Sequence, residues 1–76
     1  MDDQNYINYL KEEVVRHVAL CMRGEWLFKN GDRSFSLRQE MNCYRRHISF
    51  MMNGLKKLGV SESERSALVN PIKKEV

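Results

Sequence analysis

SLRQEMNCYRRHISFMMNGLKKLG, residues 36–59, is the stretch on which the fold turns. Leu37, Met41, Tyr44, Ile48, Met51, Leu55 and Leu58 recur at spacings of 4, 3, 4, 3, 4 and 3. That is an unbroken heptad seam, the mark of a helix packed on another helix. Ser36 and Gln39 have the spacing of a capping box at its start, and Gly59 supplies a stop. The pattern does not name the covering partner.

Upstream, Asp2 or Asp3 can cap a helix that begins near Gln4. Ile7, Leu10, Val14, His17 and Cys21 then fall on one helical face, and Val15, Val18 and Met22 widen it. So broad an apolar surface needs cover on more than one side. In so short a chain that cover points to a second copy, which gives the expectation of a homodimer burying the Leu37–Leu58 seam and the middle of helix one.

The segment between the helices has two readings. Gly24 can end helix one, after which residues 25–35 form a β-hairpin about Asn30-Gly31, with Trp26 opposite Phe35. Alternatively helix one runs to Lys29 and Asn30-Gly31 ends it. A third, short helix follows: Ser61 and Glu64 make a capping box, Asn70-Pro71 a stop, and residues 70–76 a frayed tail. The expected fold is thus mainly α: two long antiparallel helices plus a short third, as one domain over 1–76.

Composition narrows the function classes. No apolar run approaches the ~18 residues that span a bilayer. Met1-Asp2-Asp3-Gln4 is wrong for a secretory leader, and two cysteines make no disulfide scaffold, so the expected compartment is a reducing cytoplasm. No phosphate loop, metalloprotease pair or Gly-x-Ser-x-Gly is present, so no enzyme and no small-molecule substrate is expected.

The only two histidines and two cysteines form mirrored pairs, His17/Cys21 and Cys43/His47. Residues four apart share a helix face. In an antiparallel hairpin turning near 30–33, position 17 comes level with 47 and 21 with 43. Two nitrogens and two sulfurs are a donor set that tetrahedral zinc accepts. Against zinc, neither pair sits on a tight turn, and Cys43 and His47 lie off the seam. A Cys21–Cys43 disulfide and inert packing are the other readings, packing being favoured. A Cys–His catalytic dyad lacks a candidate orienting group.

The charge is lopsided. Residues 1–32 carry a net of −2, residues 33–59 a net of +5, and the remainder balances. Opposite the seam of helix two lies an outer arc of Arg38, Gln39, Asn42, Arg45, Arg46, Ser49, Asn53 and Lys56, without one acidic residue. It is about 27 Å long at 1.5 Å per residue. Arginine and lysine neutralise phosphates, and the amides and hydroxyl bond phosphate oxygens or base edges. The expected function is a small non-enzymatic regulator, of bacterial or phage type, that binds nucleic acid through this face. The alternative is an inhibitor or adaptor docking on an acidic protein, through the same face or through a Phe50–Met52 stripe.

Overall fold

The computed structural model describes the backbone of residues 3–75 and the side chains of residues 3–70. The described chain is three helices: α1 (Asp3–Lys29), α2 (Phe35–Lys57) and α3 (Glu62–Glu75). There is no strand among the described residues, so the hairpin about Asn30-Gly31 is not formed. The competing reading holds, in which α1 runs through Trp26 to Lys29. A two-stranded ribbon is marginal unless it packs on something. Continuing the helix keeps Leu27 and Phe28 half-buried instead.

Gly24 does not end α1. It is buried in the helix interior, and a Cβ placed there would lie 2.8 Å from Met41 Cγ. Its missing side chain lets α2 approach closely. The real stop is Asn30-Gly31. Gly31 has φ +108°, Gly31 N–H donates to Phe28 O at 3.2 Å, and Asp32 N–H to Leu27 O at 3.0 Å. This is a Schellman ending, with glycine in the left-handed position. Asp32 Oδ1 then accepts from Ser34 N–H at 3.0 Å, and Ser34 Oγ accepts from Leu37 N–H at 3.2 Å. The N-cap of α2 is therefore Ser34, two residues before the expected Ser36/Gln39 box. Ser34 wins because Asp32 holds its backbone extended just outside the helix.

α2 ends as the sequence indicates. Gly59 has φ +89°, Gly59 N–H donates to Lys56 O, and Val60 N–H to Leu55 O at 3.0 Å. Val60 and Leu55 are both buried, the apolar contact that accompanies this motif. Ser61 Oγ accepts from Glu64 N–H at 3.2 Å, as its capping role requires. α3 does not stop at Asn70-Pro71. Its backbone is helical to Glu75, although Pro71 has no N–H to give Ala67. For the expected frayed tail, the side chains of 71–76 and all of Val76 lie outside the described residues, as does Asp2, one of the two expected caps of α1.

α1 and α2 run antiparallel: Leu10 faces Gly54, His17 meets His47, and Glu25 meets Arg45. Their interface is the core. Leu10, Val14, Val18 and Cys21 pack against Ile48 and Leu55, with Tyr44, Met51 and Met52 at the edges. α3 closes one end through Leu68 and Val69, and Lys11 pairs with Glu64 at 3.1 Å. The Leu37–Leu58 seam was expected to meet a second copy. It is covered instead by α1 of the same chain, and α3 supplies the second covering side for α1.

Candidate nucleic-acid interface

The seam fixes which way α2 faces. Turning Leu37, Met41, Ile48 and Leu55 inward leaves a flank roughly 60–180° away, at 100° per residue, turned to solvent. All eight residues of the expected arc, Arg38, Gln39, Asn42, Arg45, Arg46, Ser49, Asn53 and Lys56, are exposed on that flank. The arc is thus one continuous basic and amide surface, free of α1 and α3 for most of its length.

The cations differ in one respect that α2 alone does not show. Arg45 Nη2 donates to Glu25 Oε1 of α1 at 2.6 Å. Both groups are partly exposed, so the pair adds little to stability. It does subtract one positive charge from the arc. Arg38, Arg46 and Lys56 have no carboxylate within 4 Å among the described residues. Beside Arg45 a shallow groove opens, lined by Glu25, Phe28, Arg38, Met41, Asn42 and Arg45. One wall therefore comes from α1. Glu25 and Phe28 were not legible as site residues, because only the interhelical register brings them level with the arc. Arg33 caps the same end of the molecule, its guanidinium 3.7 Å from the Phe28 ring centre.

The Phe50–Met52 stripe does not exist as one surface. Phe50 is 81% exposed, whereas Met52 is half-buried against the core. Two positions on a helix are 200° apart, so neighbours i and i+2 face opposite ways. Phe50 instead shares a second groove with Tyr9, His47 and Met51, on the other side of the α1–α2 pair.

The mirrored His/Cys pairs separate by element type. The expected register of 17 with 47 is correct: His17 Nε2 and His47 Nδ1 lie 3.4 Å apart. The sulfurs do not join them. Cys21 is buried in the core, Cys43 is exposed, and both are free thiols. No cluster of three or more His, Cys, Asp or Glu with metal-holding geometry occurs among the described residues. The structure thus does not bring the four-residue zinc set to one point, and Cys21 and Cys43 are not joined in it. Cys43 points about 140° from the seam centre, as its position on the helix requires. Burial pushes the Cys21 thiol up, partly offset by the positive charge of Arg45. Thiol labelling of the native protein should therefore modify Cys43 rapidly and Cys21 only on unfolding. Two equally fast thiols, read by mass spectrometry, would contradict this packing.

One further carboxylate is perturbed. The backbone N–H and hydroxyl of Ser34 hold Asp32 below the usual carboxylate range. Its role is to shape the interhelical turn. No helix among the described residues is long and apolar enough to cross a membrane. Comparison with protein-family models, with curated proteins and with solved structures finds no match.

Proposed function

We propose that this protein is a small non-enzymatic regulator, of bacterial or phage type and cytoplasmic, that binds nucleic acid through the exposed flank of α2. The observation that supports this reading is the arc itself: eight exposed residues from Arg38 to Lys56, four of them cationic, none acidic. An ordinary solvated helix mixes charges, because opposite pairs four apart stabilise it. In α2 the one carboxylate, Glu40, lies off the arc and has no cation three or four residues away, so that gain is absent. A helix of this width enters a major groove, and a row of cations tracks the phosphates beside it.

The test is fluorescence anisotropy of a labelled duplex across a salt series. If the three unpaired cations, Arg38, Arg46 and Lys56, reach phosphates while Glu25 holds Arg45, log K falls with log salt with a slope near −2.7, about 0.9 per phosphate. Binding would then weaken roughly 40-fold between 50 and 200 mM salt. A salt-independent affinity sinks the proposal. Glu25→Gln gives a sharper check. It frees Arg45 for a phosphate, so affinity at low salt should rise and the slope should steepen by up to ~0.9. An unchanged slope would show that Arg45 takes no part.

A second reading, an inhibitor or adaptor that docks on an acidic protein, is favoured by the exposure of Phe50 beside Tyr9. Apolar groups so placed fit a partner surface. In that case Phe50→Asp abolishes partner capture while nuclease treatment does not. A homodimer belongs to the same proposal, with Phe50 and Tyr9 as its contact rather than the Leu37–Leu58 seam. Sedimentation of the wild type against Phe50→Asp tests it.

A further inference from the structure

His17 and His47 stand at mid-height of the α1–α2 interface, away from the basic arc. His17 Nδ1 lies 2.7 Å from the Glu13 carbonyl oxygen. A carbonyl only accepts, so Nδ1 carries the hydrogen and the lone pair of neutral His17 is on Nε2. That nitrogen faces His47 Nδ1 at 3.4 Å, with the two rings 73° apart. The separation is long for a direct hydrogen bond between nitrogens. It is the separation a tetrahedral zinc imposes: two nitrogens each about 2.0–2.1 Å from the ion stand roughly 3.3–3.4 Å apart.

The surroundings support the same use. A metal-binding imidazole ordinarily gives its other N–H to a carbonyl or carboxylate, which fixes its tautomer and orientation. Glu13 O does this for His17, and Tyr44 packs edge-on against the ring at 6.0 Å. The Glu13 carboxylate adds negative charge, with Oε2 3.8 Å from His17 Nδ1 and 3.0 Å from Arg16 Nε. That Oε2 is buried and makes no aligned hydrogen bond. On the far side His47 is exposed, and the groove it shares with Tyr9, Phe50 and Met51 opens to solvent. An ion therefore has a way in, and water has room to complete its coordination.

We propose that His17 and His47 form a two-histidine site for a divalent first-row transition ion, with zinc as the probe. Imidazole pairs suit zinc, nickel and copper, and not calcium or magnesium. With two protein ligands the site is weaker than a four-ligand structural zinc. It staples α1 to α2 midway along their contact. The site is independent of the arc and does not require nucleic-acid binding.

The test is calorimetric titration of the full chain with zinc chloride, paired with thermal unfolding. One ion per chain is expected, and at a hundredfold excess over Kd the unfolding midpoint should rise on the order of 10 °C. His47→Gln changes an exposed side chain, so it should fold normally. It should weaken zinc binding at least tenfold and remove the thermal shift. His17→Gln should do the same. Cys43→Ser should leave both readouts unchanged. Absence of saturable binding, binding that survives His47→Gln, one ion per two chains, or loss on Cys43→Ser would each overturn the site.

Discussion

Leu55→Ala should lower the unfolding free energy by about 2–5 kcal/mol, the range for deleting most of a sealed aliphatic side chain. Leu55 has no solvent exposure and sits where all three helices meet. Val60 covers it from the turn into α3, and Val14, equally inaccessible, belongs to the same cluster. The residue also accepts the Val60 N–H that closes α2, so side chain and backbone serve one junction. A chain of 76 residues has roughly 4–11 kcal/mol in total, at 0.05–0.15 kcal/mol per residue. The variant should therefore show a much lower urea midpoint and a measurable unfolded fraction in buffer. Truncating half-buried Met52 should cost less, since part of its surface already meets water. A loss under about 1 kcal/mol for Leu55→Ala would mean that this junction is not sealed.

The second large effect concerns the arc. Arg38, Arg46 and Lys56 are exposed and, among the described residues, unpaired with carboxylates. Replacing all three by glutamate changes no core contact, so circular dichroism and the thermal midpoint should hardly move. The charge of the flank reverses. If these cations meet phosphates, about 2.7 units of salt slope vanish and each new carboxylate repels the backbone. Binding at low salt should then fall below detection. Retained binding with an intact slope would place the nucleic-acid surface elsewhere and remove the basis of the proposal. Loss of binding together with loss of helicity would be a folding effect, and single Arg46→Glu separates the two. It should lower affinity at every sequence, because phosphate contacts do not read bases.

How far these surfaces were legible varies with the kind of signal. The heptad spacing from Leu37 to Leu58 encoded α2 and its inward side, and with them the exposed arc, because both follow from one local period. The glycine stops at Gly31 and Gly59 and the cap at Ser61 were equally local. The 17–47 register followed from symmetry about a turn near Asp32, and the histidines do meet. Adjacency in sequence suggests a Phe50–Met52 stripe, yet the helical period places the two on opposite sides of α2.

Other features needed the assembled molecule. Gly24 looks like a stop in sequence, yet it is where Met41 packs on α1, and nothing within α1 announces that. Ser36 and Ser34 are equivalent by residue type, and Asp32 decides between them by holding Ser34 extended. Glu25 became the counter-ion of Arg45, twenty residues away in sequence, only once the two helices came level. Cys21 and Cys43 carry the same chemistry and lie at mirrored positions. Helix rotation sends one into the core and the other to water. Sequence by itself determined the helices and the side that each turns inward, because period, caps and stops act within a few residues. Tertiary structure decided which residues from different helices meet, because those contacts depend on interaxial distance and rotation, which no local pattern specifies.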